Sequence, residues 1–177
     1  MKKRVINHAM DIARNANPKI KVNGRPCQFW TDGHTYVVDD CRVLEVEHLL
    51  DDLVTNENQS MAEVCKRSMD AVCDRDLDYL RIENIPSVSE IKTEIRKLVG
   101  RKLDTVIYSY EGVFAINARY LYKAMEALNA SAVYVSRNKP STSQVFLFEN
   151  DDPQSTVKEL ILPIRVSLYV PGFSVAN

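Results

Sequence analysis

Seven side chains in this sequence are of the kinds that attack substrates or hold metals: Cys27, Cys41, Cys65 and Cys73, with His8, His34 and His48. Their spacing argues against both uses. No two cysteines stand as C-x-x-C, and the histidines form neither H-x-x-H nor H-E-x-x-H, so a zinc chelate has no local scaffold. Nucleophilic attack by Cys27 or Cys41 with His34 as base needs a thiolate held beside an imidazole, and no flanking motif provides for that. No catalytic residue, metal ligand or cofactor site is therefore assigned. The thiols are read as free, small hydrophobes of a reducing compartment.

Charge offers a second kind of chemistry. Over residues 1–25, Lys2, Lys3, Arg4, Arg14, Lys19, Lys21 and Arg25 stand against Asp11 alone, a balance of +6. Over residues 39–80, twelve acids stand against Arg42, Lys66, Arg67 and Arg75, a balance of −8. Clustered cations attract phosphates, although the same polarity also describes two solvated faces of an ordinary protein. A chain of 177 residues, 45% hydrophobic and 27% charged, has material for one real core, hence one domain with an insertion. Met1-Lys2-Lys3-Arg4 leads to Asp11 and Arg14 before any apolar run suited to a signal peptide, and nothing approaches the roughly 20 apolar residues of a membrane span. A cytoplasmic protein without membrane contact is expected.

The elements that would carry these residues follow from hydrophobic periodicity. Val5, Ile6, Ala9, Met10, Ile12 and Ala13 recur at helical spacing up to Asn15-Ala16-Asn17-Pro18. Residues 28–31 and 34–38 flank Asp32-Gly33, a tight-hairpin signal, and residues 42–46 alternate as a third strand. Ser60 to Glu63 has the spacing of a capping box, and Met61, Val64, Cys65, Met69, Val72, Cys73, Leu77 and Leu80 form one helical stripe behind it. A further helix is expected over 89–99, stopped by Gly100. Strands 105–110 and 113–116 flank Glu111-Gly112. Asn117 is placed to cap a helix over 119–128, strands 132–136 and 144–148 flank Asn138-Lys139-Pro140-Ser141, and a last strand spans 159–166. The result is an α+β layer arrangement.

Residues 103–166 also resemble the last half-domain of the bacterial DNA polymerase III beta sliding clamp. The likeness rests on Phe114-Ala115-Ile116-Asn117-Ala118-Arg119-Tyr120-Leu121, its continuation Tyr122-Lys123-Ala124-Met125-Glu126-Ala127-Leu128, and the ending Leu162-Pro163-Ile164-Arg165-Val166. It implies a single clamp-like domain over residues 1–177, with two helices packed on small antiparallel sheets and a helical insertion at about 47–102. It implies a non-catalytic, DNA-tethering or replication-accessory role in which inward cations hold duplex DNA through its phosphates. Those cations are Lys2, Lys3, Arg4 and Arg14 on the first helix and Arg119 and Lys123 on the second.

A second match concerns partners. Thr31-Asp32-Gly33-His34 resembles a segment lining the clamp's pocket for short motifs of replication and repair proteins, although Thr35 and Tyr36 stand where the family has Arg and Leu. Carried over, the resemblance puts Thr31, Gly33 and His34 on one wall and Leu160, Leu162 and Pro163 on the other. In the family those walls belong to different domains, so one domain would rebuild the pocket only across a subunit contact. A ring likewise needs several copies, with strand 159–166 offering an edge for pairing and residues 167–177 covering that edge or the pocket. The alternative is a clamp-derived interaction module, of the kind a phage or mobile element carries, that binds replication proteins without encircling DNA.

Overall fold

The computed structural model describes residues 3–73, 79–99, 105–110, 114–136, 146–149, 151–152, 154–164 and 171–175. Lys2, Leu77, Gly100, the turns expected at Glu111-Gly112 and Asn138-Lys139-Pro140-Ser141, and the end of the expected last strand at Arg165-Val166 lie outside them.

The chain begins with α1 (Lys3–Asn15), whose Val5, Ala9, Ile12 and Ala13 are buried as the periodicity requires. Strands β1 (Cys27–Thr31) and β2 (His34–Val38) form the expected hairpin. Its turn holds Asp32 at φ 50° and Gly33 at φ 81°, the paired left-handed geometry that favours Asp-Gly. β3 (Arg42–Val46) pairs antiparallel with β2. A short strand that periodicity did not disclose, β4 (Val54–Asn56), runs parallel to β1. It is set by Gln28, whose buried side-chain amide donates to Leu50 O at 3.0 Å and accepts from Leu50 N at 2.9 Å.

Helix α2 (Gln59–Cys73) begins two residues earlier than the Ser60 box implies. Asn58 caps it, its Oδ1 accepting from Met61 N at 3.1 Å. Leu80, read as part of that helix, belongs to β5 (Tyr79–Ile82). The capping box instead serves α3 (Val88–Leu98), between Ser87 and Glu90. Residues 47–102 therefore contain strands as well as helices. β6 (Val106–Tyr110) and β7 (Phe114–Asn117) pair antiparallel. Asn117 caps α4 (Ala118–Leu128) as expected, its side chain accepting from Arg119 N at 2.9 Å. β8 (Val133–Ser136), β9 (Phe146–Glu149), β10 (Lys158–Ile161) and β11 (Gly172–Val175) complete the chain.

Among the described residues, eight strands form one sheet in the order β4-β1-β2-β3-β10-β9-β8-β5, and three form another, β11-β6-β7. Alternation along the strands gives the large sheet two apolar faces. Val37, Leu44, Val46, Phe146, Phe148 and Ile161 join the core under α1, α3 and α4, while Phe29, Tyr36, Val38, Leu147 and Leu160 meet Ala62, Cys65, Met69 and Val72 of α2. The α+β class holds, with four helices among the described residues; α4 lies between α1 and α3.

Strand β10 departs from expectation. It lies between β3 and β9 and so offers no edge for pairing. It also ends at Ile161, because Pro163 has no N–H to extend a ladder. Leu162 N still donates to Cys41 O at 2.8 Å, and Ile164 N then donates to Ala115 O at 2.9 Å. The chain thus passes from the large sheet to β7. The tail strand β11 pairs with β6 in the smaller sheet.

Candidate nucleic-acid interface

The outer surface of the α1–α4 pair carries the cations singled out from the sequence. Lys3 and Arg14 are exposed on α1 and Arg119 on α4; among the described residues none of the three is ion-paired. At 3.6 residues per turn Lys3 and Arg14 share the stripe opposite the buried face. Arg4 is only half-exposed, its Nε buried without a partner. Lys123 is held differently: its Nζ lies 2.8 Å from Asp11 Oδ2. Burial works to raise the Asp11 carboxyl pKa, but Lys123 and Arg42 together outweigh it and hold the pKa below the usual value. Glu126 and Asp11 make this surface mixed in sign; Glu126 takes Lys92 of α3 at 2.9 Å.

Beneath the surface lies a polar scaffold that sequence reasoning missed. Arg42 is fully buried, with Nε 2.8 Å and Nη2 2.7 Å from Asp39 Oδ2, Nη1 3.4 Å from Asp11 Oδ2, and its guanidinium 4.2 Å from the ring centre of Tyr120 on α4. Burial opposes the guanidinium charge, yet the Asp39 contact raises its pKa above the ordinary value. One side chain thereby joins β3, α1 and α4. A second tie joins α1 to β10: His8 Nε2 is 2.7 Å from Glu159 Oε2, both buried, while Glu159 Oε1 has no partner. The available signals were a histidine on the apolar stripe of α1 and charged residues facing inward from strands.

The two walls assigned to a peptide pocket do not meet within one chain. Thr31, Gly33 and His34 surround the β1–β2 turn, and His34 Nδ1 lies 2.9 Å from Glu45 Oε1. Burial raises the Glu45 carboxyl pKa despite its neighbours His34 and Lys158. Leu160 pairs with Val43, and Leu162 lies beside Cys41, whereas Thr35, next to His34, pairs with Val46. Cys41 and Val46 are five residues apart on an extended chain, about 17 Å at the usual strand rise. A different concavity, of about 320 Å³, opens beside α2. Ile20, Val38, Val43, Met61 and Val64 line it, with Lys19, Asp39 and Asp40 also in its walls.

No group of metal-ligating side chains occurs among the described residues. None of their helices is long and apolar enough to cross a membrane.

Helices α1 and α4, side by side on one face of a largely antiparallel sheet, make a DNA-clamp-like fold, the fold that the sequence resemblance implied. Among solved structures it matches the DNA polymerase III beta chain of Streptococcus pneumoniae TIGR4, with a TM-score of 0.50 and 12% identity. The match covers 94% of this chain and 64% of that one, so this chain spans less than two thirds of its structural relative. At that identity the likeness is one of fold. No protein-family model and no curated protein matches the sequence.

Proposed function

We propose that residues 1–177 form one clamp-like domain of a non-catalytic protein that tethers replication factors to duplex DNA. Its α1–α4 surface faces the phosphates, and several copies assemble around the duplex. The observation that carries this reading is the set of outward cations without an ion-pair partner among the described residues, Lys3, Arg14 and Arg119, on the two adjoining helices of a clamp-like fold. Arg4 and Lys123 border the same surface, and Lys2 precedes it in sequence. Such contacts hold a polyanion without reading its sequence.

The test is duplex binding measured by fluorescence anisotropy across a salt series. Three phosphate contacts per subunit correspond to a slope of log K against log salt of about −2.7. Arg14→Glu and Arg119→Glu are each expected to weaken binding and flatten that slope. Binding that ignores salt, or that survives both reversals unchanged, contradicts the reading.

A second reading is favoured by the groove beside α2. Its apolar walls and about 320 Å³ volume suit one or two apolar side chains of a short partner motif. On this reading the chain is an interaction module for replication or repair proteins and does not encircle DNA. Binding of such a motif abolished by Val43→Glu, with no duplex binding by the unmodified protein, would favour the module over the clamp.

A further inference from the structure

We propose that Asp11 is a built-in counter-ion that holds Lys123 away from phosphates and so sets how strongly the α1–α4 surface grips DNA. The inference rests on the DNA-tethering reading above and adds the residue that moderates it.

The geometry singles out Asp11 among the charges of this surface. It sits on the flank of α1 that faces α4, and its Oδ2 receives Lys123 Nζ at 2.8 Å. Arg42 Nη1 approaches the same oxygen at 3.4 Å. Arg42 itself is immobilised, clasped by Asp39 and packed on Tyr120. Asp11 is therefore anchored from beneath, while the ammonium of Lys123 reaches it from the partly exposed seam between the helices. Lys3, Arg14 and Arg119 have no such acidic partner among the described residues.

A cation contributes to polyanion binding when its charge displaces counter-ions from the phosphates. Lys123 already has a counter-ion, covalently part of α1. For it to meet a phosphate, the ion pair with Asp11 must open, and the uncovered carboxylate then repels the same phosphate. The pair contributes almost no net field at a distance, so Lys123 adds little to the salt dependence. Neutralising Asp11 at constant size removes both obstacles, and an amide oxygen at that position still accepts from Arg42.

The experiment is a double-mutant cycle read by duplex-binding anisotropy between 50 and 200 mM NaCl, with thermal unfolding to confirm folding. Asp11→Asn is expected to tighten binding and steepen the slope by about 0.9, so that its advantage over the unmodified protein shrinks about 3.5-fold across that salt range. Lys123→Gln alone is expected to leave the slope nearly unchanged, and in the Asp11→Asn background to abolish the gain. Arg119→Gln flattens the slope by about 0.9 in either background. A gain from Asp11→Asn that survives Lys123→Gln would reflect overall charge and overturn the proposal. So would a flattening of the slope by Lys123→Gln in the unmodified protein as large as that by Arg119→Gln, a comparison that stands even if Asp11→Asn does not fold. Absence of salt-dependent binding by every variant and by the parent removes the underlying DNA reading itself.

Discussion

Replacing Arg42 with methionine removes a buried guanidinium while keeping most of the side-chain volume. Arg42 has 0% and Asp39 4% side-chain exposure, so water cannot take over the broken contacts. Two short bonds to Asp39 Oδ2 disappear, with them the longer contact to Asp11 and the stacking on Tyr120. Asp39 keeps its other oxygen bonded to the backbone N–H groups of residues 41 and 42, at 2.9 and 2.8 Å. That residual solvation places the loss near the lower end of the range for breaking a buried pair, about 3 kcal/mol. With a urea dependence of about 2 kcal/mol per molar, the unfolding midpoint should fall by about 1.5 M. Urea titration of Arg42→Met, Asp39→Asn and the double variant checks this. The double variant should lose less than the sum of the singles by about 2 kcal/mol, because the orphaned charge is gone. A midpoint shift below about 0.5 M with an unchanged slope would falsify the view that this cluster ties β3 to α1 and α4.

Three further outcomes follow from local geometry. Asn117→Ala removes the cap of α4 and should cost about 1 kcal/mol, measured by urea unfolding; a cost near zero would mean that packing alone fixes that helix start. The folded-state pKa of Asp11 lies below its ordinary 3.8, so its pairing stabilises the fold above that pH and is lost as pH falls through the folded value. The stability difference between the parent and Asp11→Asn should therefore hold from pH 7 to 5, at no more than about 1 kcal/mol for a partly exposed pair, and vanish on acidification below 3.8. A difference that instead disappears on raising the pH would contradict that sign. Burial pushes the Cys65 thiol up to about 11, and raises Cys27 and Cys41 as well. Iodoacetamide at pH 8 should leave Cys65 unmodified in the native protein by mass spectrometry; rapid native labelling would revive the thiol-nucleophile reading.

The legible parts of this fold were those with short-range physical signatures. Asp32-Gly33 announced its hairpin because only left-handed residues fit that turn, and Asn117 announced the start of α4 because its side chain serves a free amide within two residues. The illegible parts depended on partners distant in sequence. β4 exists because Gln28 holds the loop at Leu50, and β5 because a four-residue edge can pair with β8 without a periodicity of its own. The central place of β10 is likewise a matter of topology, since its pairing with β3 joins residues more than a hundred positions apart.

The candidate surface divides in the same way. The clamp resemblance singled out Lys3, Arg14 and Arg119 among its phosphate-facing cations, and all three are exposed. It did not reveal that Lys123 is tied to Asp11 across 112 positions, or that Arg42 is buried beneath both. A buried charge is unfavourable alone and acceptable only with its partners, and the partners come from three separate elements. The T-D-G-H likeness identified a real hairpin, but its second wall lies at the far end of β3 in the same chain.

On the proposed reading this clamp-like domain works as an assembly, since one copy presents a single α1–α4 surface. The most direct test of that reading is molar mass in solution, by sedimentation equilibrium over a wide concentration range. One closed species at an integral multiple of 20.2 kDa that stops growing with concentration is expected. A monomer at every concentration would contradict it.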